Sequence, residues 1–269
     1  MTQSENKKLH GREELKTYFK NGQIPNETHF SYLIDSAIIQ YDDGISKDEE
    51  NGYIIAPLGS SSKLMTFYKN MDRREPFFFV EKDLLENPSL KLRSGTIGGD
   101  HSEQQENSFY FHQNGSLGIG KKSDTNFKLD INGFNASTGR IGTYAKGKIP
   151  ADGKWHDIIT KLDNCQAFEI IARTGVKRSG KFSMLHATAL STFGRSHSKI
   201  KKTRAYYGSF WSFWNKLNLR WCGDTHNFSL QLRSNRNFGT GVEIYYNVGK
   251  LWDDELFTSE NCFYPTEKS

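Results

Sequence analysis

Cysteine is scarce in this chain of 269 residues: Cys165, Cys222 and Cys262 are odd in number and far apart. There is no CxxC pair for a zinc site and no even set for a disulfide framework. The thiols are expected to be free and buried, as free cysteines commonly are. Proline is rare too, at 6 residues. No stretch approaches the roughly 18 consecutive apolar residues of a membrane-spanning helix. The opening stretch MTQSENKKLHGREELK has no apolar signal core, so the protein is expected to be made in the cytoplasm without a signal peptide. Catalytic signatures are lacking as well. No GxSxG elbow, no paired histidines at ligand spacing and no DxDxDG loop occur. We therefore expect neither an enzyme nor a cofactor. The net charge of +5 is too small to indicate nucleic acid without a concentrated basic patch.

Aromatic residues are plentiful, with 19 Phe, 12 Tyr and 5 Trp, and 24 glycines accompany them. That pairing favours twisted strands and tight turns over long helices. A mean hydropathy of −0.70 with 35% hydrophobic residues is polar, yet far from the composition of disorder. Helical spacing is confined to the beginning, where Leu15, Tyr18 and Phe19 form one stripe and Phe30, Leu33, Ile34 and Ala37 another. Asn21-Gly22 stops the first helix, Pro25 blocks its continuation, and Asn26 is placed to cap the second.

From Gly52 onward the pattern changes to strand-length runs at 52–56, 63–68 and 76–81. The polar stretch 96–106 reads as an exposed, mobile loop. Runs at 108–112 and 116–120 flank Asn114-Gly115, a strong hairpin signal because both residues tolerate positive φ. Further runs fall at 140–144, 167–172, 182–190, 217–221, 228–233 and 242–246. In Leu217, Leu219 and Trp221, and in Phe228, Leu230 and Leu232, apolar and polar residues alternate, as in strands with one wet face. The expected fold is mainly β, with a helical attachment segment at 1–50, a small β region with hairpins at 51–136, and an antiparallel, jelly-roll-like β-sandwich at 137–269.

Ser116-Leu117-Gly118-Ile119-Gly120 followed by Phe127-Lys128-Leu129-Asp130-Ile131-Asn132-Gly133 resembles the GIG…KLDVNG element of phage tail-fibre and tail-fibre-like adhesin proteins. The usual proline of that element is replaced by residues 121–126. Arg140-Ile141-Gly142-Thr143-Tyr144, Pro150-Ala151-Asp152-Gly153-Lys154-Trp155-His156, Cys165-Gln166-Ala167-Phe168-Glu169 and His186-Ala187 resemble a module of tail-fibre-like and contractile-injection-system-associated proteins. The resemblance implies a fibre-like structural component of a phage-tail-like particle, released with that particle. It also implies other particle subunits as partners and a homo-oligomer, for which a trimer is one form. A cargo protein of such a particle and a free glycan-binding adhesin are the alternatives.

Three places carry chemistry that can be weighed. Cations and aromatics interleave in residues 198–216, where Lys201, Lys202, Arg204, Tyr206, Tyr207, Trp211 and Trp214 are the candidate surface- or subunit-binding residues. Aromatic faces stack on sugars, and the cations attract anionic groups. The same composition serves a loop packed against a subunit. Asp152, Trp155 and His156 fit part of a polar site, or a tight Ala-Asp-Gly turn with Trp155 plugging the sheet. His186, His197 and His226 lie in separate elements, and His186, inside an apolar run, reads as a hydrogen-bonded core or interface residue and not as a metal ligand.

Overall fold

The computed structural model describes residues 10–70, 76–85, 87–95, 107–192, 197–208 and 212–257. The expected loop at 96–106 and Cys262 lie outside the described residues. The chain folds as two compact units, Met1–Asn135 and Ala136–Ser269.

Local side-chain chemistry sets the helices of the first unit, α1 (Arg12–Tyr18), α2 (Glu27–Asp35) and α3 (Gln40–Asp43). Asn26 Oδ1 accepts the His29 amide at 3.0 Å, while His29 Nδ1 accepts the Asn26 amide at 3.3 Å. This is a reciprocal cap in which histidine takes the place usually held by Glu or Gln. Gly44, at φ 65°, ends α3 in the left-handed conformation. A two-stranded ribbon follows, β1 (Ile45–Asp48) and β2 (Gly52–Ile55).

The rest of this unit is a six-stranded sheet in sequence order, β3 (Lys63–Tyr68), β4 (Pro76–Asp83), β5 (Ser89–Ser94), β6 (Ser108–His112), β7 (Leu117–Ile119) and β8 (Leu129–Ile131). The β6–β7 hairpin turns where expected, with Gly115 at φ 77° and its amide bonded to the His112 carbonyl at 3.0 Å. β8 joins parallel to β7, and adjacent lysines in the crossover tie it down. Lys121 bonds Asp130 in β8 at 2.9 Å, and Lys122 bonds Asp83 at the end of β4 at 2.8 Å.

The second unit contains β9 (Ala145–Pro150), β10 (His156–Leu162), β11 (Cys165–Gly175), β12 (Phe182–Thr192), β13 (Lys199–Tyr206), β14 (Leu217–Asp224), β15 (Asn227–Ser234) and β16 (Glu243–Trp252). Five of them form one antiparallel sheet, ordered β13-β12-β11-β16-β9, and three form another, ordered β10-β15-β14. The first strand thus pairs with the last, and the second with the second to last. That is the nested winding of a jelly roll, from which the β11–β12–β13 meander departs. Phe168, Ile170, Leu185, Leu217, Leu230, Leu232 and Val248 are at most 1% exposed and fill the space between the sheets. The alternation read in β14 and β15 places these residues inward as expected.

Four local expectations are corrected. Residues 140–144 are no strand. They lie against β16, where the Tyr144 amide bonds the Val248 carbonyl at 2.9 Å and an added Cβ on Gly142 would lie 2.2 Å from Gly249 N. The segment 198–216 contains a full strand, β13. The thiols are not both buried: Cys165 is half-buried and Cys222 exposed, because alternation along β14 turns Cys222 outward. His186 has the expected hydrogen bond, to Glu169, but it points away from the core, with its side chain 53% exposed.

The lysine ties predict acid sensitivity in the first unit. Burial pushes Asp83 upward, but the Lys122 ammonium and the Leu85 amide outweigh it and hold its carboxyl below the usual carboxylate range. Lys121 and the Asp124 amide hold Asp130 down in the same direction. A carboxylate with a lowered folded pKa contributes stability that is complete above its unfolded value of about 4 and is lost as pH falls through the folded value. Asp83→Asn with Asp130→Asn should therefore lower the melting temperature at neutral pH. The difference from the parent chain should shrink below about pH 4, measured by circular dichroism melts across pH.

Candidate partner-binding surfaces

β13 is the outermost strand of the five-stranded sheet and pairs with β12. Its alternation splits the basic run in two. Lys199, Lys201 and Thr203 face outward, while Ile200, Lys202 and Arg204 lie opposite core residues Ala189, Ala187 and Leu185. The inward cations cross to the other sheet. Lys202 Nζ donates to the Leu219 carbonyl at 2.8 Å, and Arg204 Nε donates to the Leu217 carbonyl at 2.8 Å. A second Arg204 nitrogen reaches Asn218 Oδ1 at 2.5 Å. These are carbonyls of β14 that turn away from β15, so the cations satisfy acceptors at an open strand edge. Burial, and then the charge of Arg204, pushes the Lys202 ammonium below its ordinary pKa.

The aromatic members of the run are divided between packing and surface. Tyr206 carries Lys216 Nζ over its ring at 5.0 Å. Tyr207 packs edge-on against Phe238 at 6.1 Å, and its carbonyl accepts from Asn215 Nδ2 at 2.9 Å. Trp214 is exposed and rests against Phe213 at 4.8 Å. Trp211 lies outside the described residues. The structure therefore leaves Lys199, Lys201 and Trp214 on the surface and directs Lys202 and Arg204 to the sandwich edge.

Asp152, Trp155 and His156 form a tight turn leading into β10. Asp152 Oδ1 accepts the Lys154 amide at 2.9 Å and the His156 Nε2–H at 2.8 Å. Burial raises the Asp152 carboxyl, but these two donors and the His156 charge hold it below the usual range. Trp155 lies with Arg220 and Arg233 at 4.4 and 4.3 Å from its ring centroid. Arg220 continues through Gln231 to Asp157, a hydrogen-bonded chain across all three strands of the smaller sheet. The outer face of that sheet is thus polar and internally paired.

The outer face of the larger sheet brings together residues that the sequence keeps far apart. Glu169 in β11 receives Arg140 at 2.5 Å on one carboxylate oxygen and the His186 Nε2–H at 3.0 Å on the other. A cleft of about 170 Å³ beside them is lined by Arg140, Ile141, Gly142, Glu169, Ile171 and Asn247, with Gly249. His226 pairs instead with Asp163 at 3.2 Å. Among the described residues, no group of three or more His, Cys, Asp or Glu is placed to hold a metal ion. None of the described helices is long and apolar enough to cross a membrane.

The first unit contains a surface of opposite character. Register places Leu90, Phe111, Leu117 and Leu129 in one row across β5 to β8. Val80, Leu92, Phe109, Ile119 and Ile131 form the next row, across β4 to β8. This apolar face is the open one. The other face is covered by its own side chains: Arg93 forms a paired contact with Glu81 at 2.8 and 2.9 Å and lies over Phe79 at 4.2 Å, while Lys91 lies over Tyr110 at 5.4 Å. His112 stacks on Tyr110 and accepts the Ser123 amide at 3.1 Å. Sequence reasoning found the β6–β7 hairpin but not this face, since β5 was not anticipated and the rows appear only once register is known.

No family model and no curated protein matches the chain. Among solved structures it is similar to the tailspike protein of Acinetobacter phage vB_ApiP_P1, at 12% identity and a TM-score of 0.28, over 46% of this chain and 26% of that one. The chain spans about a quarter of that tailspike's length. A likeness at this level carries no argument about function.

The edge contacts of β13 give a direct prediction. Arg204→Met should destabilise the chain by about 2–3 kcal/mol, because it removes charged hydrogen bonds and strips the Leu217 carbonyl of its donor. Arg204→Lys should recover only part of that, since an ammonium cannot reproduce the guanidinium fork. Urea denaturation followed by tryptophan fluorescence reads both.

Proposed function

We propose that the chain is a non-enzymatic structural and binding component, fibre-like in role, of a phage-tail-like or contractile injection particle. The observation that carries this reading is the open apolar face of the six-stranded sheet. Contiguous apolar patches of a few hundred Å² are about the largest that monomers expose, and such patches commonly mark contact sites. The polar groups of the second unit support it further, because they are engaged in holding the structure. Asp152 is bonded to His156, Glu169 to Arg140 and His186, and Lys202 and Arg204 to strand carbonyls. The tail-fibre-like sequence elements supply the setting: synthesis in the cytoplasm, then departure within a particle. Trp214, stacked on Phe213 and exposed, together with outward Lys199 and Lys201, offers the aromatic and cationic groups that a glycan-bearing target surface would meet.

Purified particles, intact and stripped of their sheath, should carry the chain in the fibre or baseplate fraction when analysed by mass spectrometry. Recovery from the tube lumen would overturn the reading in favour of cargo.

A further inference from the structure

A sheet that is apolar on one face must bury that face against a second layer. In the unit from Ala136 the chain provides both layers, and the apolar faces of the two sheets meet in one core. In the unit ending at Asn135 there is one six-stranded sheet, whose apolar face stays open. The two-stranded ribbon of β1 and β2 is too narrow to cover six strands, at roughly 4.8 Å per strand.

We propose that another copy of this chain covers this face with the same face of its own six-stranded sheet. The inference rests on the structural-component reading above and names what that surface meets. Three features point to self-pairing. The two central rows contain no charged residue across β5 to β8, so nothing on them selects a partner of complementary charge; Lys82, in register with Leu90, stands at the margin. An isologous contact uses one patch twice, and an uncharged face of alternating large side chains is compatible with itself. The size also fits. Met65, Leu90, Phe109, Phe111 and Leu129 are 38 to 53% exposed, which leaves on the order of 400 Å² of side chain open at about 150–250 Å² for a full large side chain. The half-buried Val80, Leu92, Leu117, Ile119 and Ile131 bring the face toward the roughly 800 Å² per partner of a stable interface.

The test is the mass of the full chain in solution. Sedimentation at micromolar concentration should give a multiple of 30.8 kDa. Phe111→Lys and Phe111→Glu chains should each self-associate on the order of a hundredfold more weakly, since like charges would face each other across the contact. Mixing the two should restore assembly. Hydroxyl-radical footprinting of the unmodified chain avoids any dependence on folding of the variants: Phe111 and Leu129 should become protected as concentration rises, while Trp214 stays labelled. A monomeric parent chain, or an assembly in which Phe111 and Leu129 remain labelled, would overturn the proposal. If that monomer still purifies with particles, the structural-component reading stands and the partner is a different subunit. If the chain self-associates as expected but is absent from particles, the self-contact holds and the particle reading falls.

Discussion

Two sheets of unequal width packed face to face impose the main constraint on the second unit. Three strands, spaced about 4.8 Å apart, cannot cover five. The smaller sheet places β10 against β9 and β14 against β12 and β13, and the margin beyond β14 would leave a sandwich edge open to water. Lys202 and Arg204 resolve this by lying along the core with their carbon stems and donating at β14 with their heads. Ile200 fills the inward position before them and packs on the core. The basic run thus serves the same end as the apolar core it borders.

The two units treat their apolar surface in opposite ways. In the second, the inward rows are enclosed between the sheets, and outward polar groups such as Glu169 with His186 and Arg220 with Gln231 pair across strands. In the first, long cationic stems cover the mixed face, where Arg93 and Lys63 both lie over Phe79, and the aliphatic face remains free. A cation over an aromatic ring keeps its charge at the surface while its stem excludes water. The polar face of that sheet is therefore largely covered by its own side chains, and the apolar face is available to something else.

Much of this architecture was legible in the sequence. The strands of unbroken alternation, β14 and β15, lie where the pattern placed them, β3 coincides with the run at 63–68, and Asn26 caps α2 as its position indicated. The failures share a physical cause, which is that polarity by residue type is a poor guide to direction. Lys202 and Arg204 occupy inward positions, so β13 read as a loop. Register shifts around Ile159 blurred the alternation of β10. The 140–144 run has the residues of a strand but sits where Gly142 and Gly249 bring two backbones together. The Arg140–Glu169–His186 cluster and the open apolar face depend on strand order, which pairs residues tens of positions apart and leaves no trace in local spacing.

The clasp of Lys202 and Arg204 on β14 has a bearing on the protein before it meets any partner. A strand edge with unsatisfied carbonyls is a template on which stray chains add strands and aggregate. With donors already seated on Leu217 and Leu219, the first half of β14 is a poorer template. A protein that displays one broad sticky surface for assembly must close its other adhesive borders, or correct association competes with precipitation. The two inward cations act as a guard of that kind at this edge, where they favour side-chain matching over backbone pairing.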